Sequence, residues 1–126
     1  MYRIKLISVS NNELKNKTLN IYLKNDYYFS KISDASQNIS NIEEDIETIP
    51  DGVHKNQKNY KLISFNDEIL GVVDYLTHYP EKDTVLIGLL IIKNDKQKQG
   101  LGTKIFRYLE NSFKNKNFLK IRIGVL

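Results

Sequence analysis

The residues with the most chemical content lie in one run, from Leu89 to Lys104. An apolar stretch, Thr84 to Ile92, leads into the polar and basic segment Lys93 to Gln99, and then into Gly100-Leu101-Gly102. Beyond it, Leu101, Ile105, Phe106, Leu109 and Phe113 recur at helical spacing, so the glycines open a helix. Amides in the first turn of a helix have no intrahelical acceptor, and the helix dipole adds partial positive charge where they point. Gly100 and Gly102 have no side chains to keep an anion away from that backbone. Lys96, Lys98 and Lys104 add cationic charge. Residue types and spacing together specify a phosphate or pyrophosphate site. The spacing is neither Gly-x-x-x-x-Gly-Lys-[Ser/Thr] nor Gly-x-Gly-x-x-Gly, which excludes a P-loop and argues against a Rossmann domain.

A second feature is Asp74, set in the otherwise apolar run Val72-Val73-Asp74-Tyr75-Leu76. Carboxylates are depleted in strands. With Pro80–Asp83 as a hairpin turn, Asp74 falls opposite Gly88. There it could anchor or deprotonate an amine, and a solvent-facing side chain is the alternative. Tyr75 and Tyr79 could act as acids, with packing as the other reading. The two histidines, His54 and His78, lie in different segments without a nearby pair of metal ligands, so a zinc site is not expected. Cysteine is absent, which excludes disulfides and thiolate chemistry. No Gly-x-Ser-x-Gly occurs to support a serine triad.

The elements that must position these residues read as follows. Tyr2 to Val9 is a strand. Ser10-Asn11-Asn12-Glu13 has the pattern of a capping box, opening a helix from Asn11 to about Asn25 with Leu14, Thr18, Ile21 and Tyr22 inward. Ile39, Ile42, Ile46 and Ile49 keep helical spacing through an acidic stretch, so Ser40–Ile49 is an amphipathic helix ended by Pro50-Asp51-Gly52. Val53 to Asn59 reads as a polar loop. Tyr60–Phe65 and Ile69–Tyr79 form a hairpin about Asn66-Asp67-Glu68. Thr84–Ile92 is apolar on both faces, as a central strand would be. After the helix through Phe113, Phe118–Leu126 is a last strand. The expectation is a single α/β domain of α+β type over residues 1–126, with the order β-α-α-β-β-β-α-β and a mixed, mostly antiparallel sheet.

Composition bounds the rest. With 126 residues and 40% hydrophobic content the chain fits one domain with its own core. No apolar run approaches the roughly 18–20 residues of a membrane helix, and the N-terminus lacks the apolar stretch of a signal peptide, so a cytoplasmic protein is expected. The net charge is +4, but sixteen of nineteen basic residues are lysine and Ala35 is the sole alanine. That skew fits AT-rich coding, and the basicity alone is a weak pointer to nucleic acid. Its placement says more. Asp34 to Asp51 holds six acidic residues and no basic one, and Lys93 to Arg122 holds nine basic against two acidic. Two differently charged ligands, or simply two solvated faces, would suit that asymmetry.

Gln97-x-x-Gly100-x-Gly102, in this setting of meander, apolar strand, amphipathic helix and final strand, resembles the acetyl-CoA loop of the GNAT-type N-acetyltransferases. The resemblance spans essentially the whole chain. It implies that Leu90, Ile91 and Ile92 pair with the pantetheine arm, and that Gln97, Lys98, Gln99, Gly100, Leu101, Gly102 and Thr103 hold the pyrophosphate. It also implies splayed fourth and fifth strands, a bulge near Gly88-Leu89-Leu90, and direct attack of an amine on acetyl-CoA, with Asp74 and Tyr75 as the candidate catalytic residues. The acceptor would be a small amine, or a lysine or N-terminal amine, and the acidic helix would favour a cationic one. The family continues with a further helix and strands, so the chain reads as C-terminally truncated, with its last strand open to pairing in a homodimer. A CoA-binding module without turnover is the alternative, and a nucleic-acid-binding domain a less favoured one.

Overall fold

The computed structural model describes residues 3–24, 39–93 and 100–124. Five strands and three α-helices are present among them: β1 (Ile4–Ser8), α1 (Asn12–Lys24), α2 (Ile39–Glu47), β2 (Lys58–Phe65), β3 (Glu68–Thr77), β4 (Thr84–Ile92), α3 (Leu101–Asn115) and β5 (Lys120–Ile123). A short 3-10 turn, Lys55–Gln57, precedes β2. The strands form one sheet in the order β1-β2-β3-β4-β5, antiparallel as far as β4 and parallel between β4 and β5. This is the expected α+β order, with helices on both faces.

Each face has its own core. Leu101, Ile105, Leu109 and Phe113 of α3 pack with Ile63, Val73, Tyr75, Val85 and Ile87. Ile21 of α1 and Ile42 of α2 pack on the other face with Val9, Tyr60, Leu62, Val72 and Ile91. β4 supplies Ile87 and Ile92 to one core and Ile91 to the other, which is why its sequence is apolar without alternation.

Local chemistry explains the joints, with some corrections to the sequence reading. The β2–β3 turn has Asn66 and Asp67 at φ 51° and 69°, the two left-handed residues of a tight hairpin. The cap of α1 is Asn11, whose Oδ1 accepts from the Leu14 amide at 2.9 Å, in place of the Ser10 box. β2 begins at Lys58, inside the segment read as loop. β5 is four residues long, while Phe118 is buried ahead of it and Leu119 and Ile123 are 79% and 64% exposed. Val125 and Leu126 lie outside the described residues. At Gly71 a Cβ would stand 2.7 Å from the Ile91 carbonyl oxygen, so only glycine lets β3 and β4 approach there.

Candidate active site

The site is built around an interruption in β4. On the β3 side Asp74 pairs with Leu89 while Tyr75 pairs with Ile87, so Gly88 is the extra residue of a bulge. Asp74 therefore stands opposite Leu89, one residue from the position the turn arithmetic indicated, and the bulge lies where expected. On the other side the pairing of β4 with β5 among the described residues runs from Thr84 to Ile87, and the Gly124 amide donates to the Ile87 carbonyl at 2.7 Å. A cavity of about 180 Å³ opens beyond that point, lined by Ile87, Gly88, Leu89, Leu90, Phe106, Ile123 and Gly124. Gly124 marks its root: a Cβ there would lie 3.6 Å from the Gly88 Cα. Two glycines face each other across this cavity.

The C-terminal end of β4 points at the start of α3. Gly100 is the N-cap in the left-handed conformation, φ 71°, with no side-chain cap. The buried Leu101 and, four residues on, Ile105 anchor the first turn to the core. Gly102 stands beside β4: a Cβ there would lie 3.7 Å from Ile92 Cδ1. Leu101, Gly102 and Thr103 thus present the first-turn amides of a 15-residue helix at the end of β4. Leu90, Ile91 and Ile92 form the β4 segment beyond the parallel pairing, with Ile91 and Ile92 buried. Gln97, Lys98 and Gln99 fall outside the described residues.

Asp74 lies on the α1–α2 face of the sheet, paired with Tyr60 across one strand boundary and Leu89 across the other. Its side chain is 17% exposed and its Oδ2 accepts from Lys58 Nζ at 2.8 Å; the lysine side chain is 11% exposed. Burial pushes the Asp74 carboxyl above its ordinary value, the hydrogen bond and charge of Lys58 pull it back, and Asp45 of α2 pushes it up again. Tyr75 points to the opposite face. It is 3% exposed, edge-on to Phe113 at 5.0 Å between centroids, and burial raises its hydroxyl pKa. The two residues paired as catalytic candidates are therefore separated by the sheet, and Tyr75 belongs to the core.

Both histidines border one open cavity of about 960 Å³ with Asp51, Tyr79 and Asp83. The sequence distance between them hid this. Gln57 joins the two segments, accepting from the His54 amide at 3.0 Å and donating to the Thr77 carbonyl at 2.8 Å. This cavity lies at the β3–β4 connection, with Asn117 beyond the C-terminal end of α3 in its lining and the start of α3 at the other end of β4, so it is separate from the cleft. Lys58, Phe106 and Gly124 were missed as site residues. The signal for Lys58 was available: continuing the alternation of Tyr60 and Leu62 back by two puts it on the same face, diagonal to Asp74 across the hairpin.

The family described as "Acetyltransferase (GNAT) family" matches residues 21–126. No curated protein matches the chain. Among solved structures, an acetyltransferase from Thermus thermophilus superimposes with a TM-score of 0.68 at 20% identity, over 86% of this chain and 68% of that one. An acetyltransferase from Bacillus subtilis in complex with CoA gives 0.60 at 21% identity, over 99% and 66% of the two chains. An aminoglycoside acetyltransferase from an uncultured soil metagenomic sample, in complex with sisomicin, gives 0.64 at 12% identity, over 99% and 78%. No helix among the described residues is long and apolar enough to cross a membrane.

Proposed function

The chain belongs to the acetyltransferase (GNAT) family, and we propose that it transfers an acetyl group from acetyl-CoA to a primary amine of a cationic acceptor. The observation that carries this reading is the cleft: β4 bulges at Gly88, a cavity opens between that bulge and Gly124, and the far end of β4 lies beside a helix start capped by glycine alone. Those features fit an acyl-CoA. The first-turn amides of Leu101, Gly102 and Thr103, with Gln97, Lys98 and Gln99 from the sequence motif, would hold the pyrophosphate. Leu90, Ile91 and Ile92 would flank the pantetheine arm.

Acetyl-CoA supplies an activated acetyl group as a thioester. The protein contributes position and polarity. A bulged residue drops out of the ladder, so the Gly88 backbone is free to polarise the thioester oxygen. Asp74, across from the bulge, anchors the acceptor's ammonium and takes one proton from it. The neutral amine then attacks the thioester carbon, the nitrogen–carbon bond forms as the carbon–sulfur bond breaks, and the second nitrogen proton leaves with the thiolate as the CoA thiol. The acidic helix α2, with Glu43, Glu44 and Glu47 exposed, raises the local concentration of a cation such as a polyamine, an aminoglycoside or a lysine-bearing peptide. We place the reaction in the cytoplasm. The exposed Leu119 and Ile123 of the β5 region support pairing with a second copy of the chain.

Titration calorimetry with CoA, followed by a panel of amines assayed for CoA release from acetyl-CoA, tests the reading. Binding and release with cationic amines are expected. No CoA binding at tens of micromolar protein overturns it. Binding without release from any amine would favour a CoA-binding module, and a preference for anionic acceptors would refute the acceptor class. Sedimentation of the chain beside Ile123→Lys tests the dimer: a wild-type monomer removes it.

A further inference from the structure

We propose that Lys58 is a positioning residue for Asp74: its ammonium occupies the place of an acceptor's ammonium and holds the carboxylate beside the β4 bulge until an acceptor displaces it. The final step of this inference rests on the acetyl-transfer reading; the hold of Lys58 on Asp74 does not. The geometry carries it. Lys58 is the first residue of β2 and sits across from Leu76, two residues along β3 from Asp74. Its side chain therefore reaches diagonally over the sheet face to place Nζ 2.8 Å from Asp74 Oδ2. Asp74 in turn pairs with Leu89, the neighbour of the bulged Gly88. A primary alkylammonium is thus already seated against a carboxylate one strand away from the cleft.

The energetics give the pair its purpose. Two side chains of opposite sign, both largely withdrawn from water, hold one another in a low-dielectric place. Among the described residues, the charged groups that act on Asp74 are Lys58 from β2 and Asp45 from α2, and they act in opposite senses. Without Lys58, burial and Asp45 both favour the protonated carboxyl, which can neither bind a cation strongly nor accept a proton. Lys58 also borders the cavity of about 550 Å³ between α2 and the β1–β2 edge, together with Ile46, Glu47 and Tyr60. That cavity gives the displaced side chain somewhere to go. A lysine suits this task better than arginine, because its single ammonium on a four-carbon stem can be exchanged for an acceptor of the same chemistry.

The test is carboxyl NMR on the full chain labelled with 13C-aspartate, the Asp74 resonance being assigned by its loss in Asp74→Asn. Lys58→Met, which keeps most of the volume, should raise the Asp74 midpoint by about one pH unit or more. Lys58→Arg should leave it close to wild type. In Lys58→Ala, n-butylammonium should bring the midpoint back down. In the wild type, whose folding is not in question, n-butylammonium should shift the Asp74 resonance and the Lys58 side-chain resonances together. An unmoved midpoint in Lys58→Met overturns the hold on Asp74, and no response of the wild-type pair to n-butylammonium overturns displacement. CoA calorimetry run in parallel separates the readings: absence of CoA binding removes acetyl transfer, while the carboxyl titration still decides the role of Lys58.

Discussion

The two flanks of β4 are made of different material. Toward β5 and α3 the cleft is backbone and small apolar surface: Gly88, Gly124, Leu90, and helix amides behind Gly100. Toward β3 the chemistry sits in side chains, a carboxylate and an ammonium 2.8 Å apart. A backbone site depends on conformation, so it tolerates changes in side chains that keep φ, ψ and space. A side-chain site depends on charge balance, so changing either partner alone is costly.

The largest expected break is on the backbone flank. Gly100→Asp should abolish CoA binding by calorimetry, because a carboxylate would stand at the proposed pyrophosphate site in a residue held at φ 71°. Gly100→Asn, which tolerates that conformation without charge, should retain measurable binding. Equal loss in both would assign the effect to backbone strain and weaken the case for an anion there.

On the side-chain flank, Lys58→Met or Asp74→Leu alone should each lower stability in denaturant unfolding at neutral pH, by up to about 3–5 kcal/mol, because the buried partner loses its counter-charge. The double variant should be close to wild type or more stable. The pair also sets a pH dependence. The Asp74 carboxyl titrates above its ordinary value, so the folded chain keeps a proton that the unfolded chain has released. Its contribution to stability is therefore present at low pH and declines as pH rises from about 4 through the raised value. That decline should vanish in the double variant, and its persistence there would assign it to other groups.

Smaller effects sharpen the contrast. Gly71→Ala should lose about 1–3 kcal/mol in thermal unfolding, since its Cβ would meet the Ile91 carbonyl oxygen at 2.7 Å and force β3 from β4. Mildest is Lys98→Ala, which should weaken CoA binding only a few-fold, because in the proposed site backbone amides hold the pyrophosphate and a single lysine of the motif contributes modestly. A loss as large as that of Gly100→Asp would mean that side chains, not amides, hold the phosphate.

The backbone flank was legible because its requirements are local. An apolar run, two glycines two residues apart and a helical repeat from Leu101 to Phe113 each act within a few residues of themselves, and together they place a helix start after a buried strand. The same locality made Asn66-Asp67 readable as a turn. Where the reading slipped, two local signals competed or a distant partner decided. Ser10 and Asn11 both suit a cap, and in the fold it is Asn11 that accepts from the first-turn amide of Leu14. Lys58 was read with its polar neighbours as loop, although β3 extends the ladder to it.

By itself the sequence determined the order of elements, the two-faced burial of β4 and the glycine-capped start of α3, because periodicity and conformational permission are properties of short segments. Only the tertiary structure decided that Asp74 and Tyr75, adjacent in the chain, serve opposite faces, and that Lys58 rather than solvent meets Asp74. It likewise brought His54 and His78 to one cavity. Such pairings depend on strand register, on the one-residue slip at Gly88, and on which helix covers which face. Those are settled by contacts among residues far apart in the chain, where a single residue's shift exchanges one face of a strand for the other.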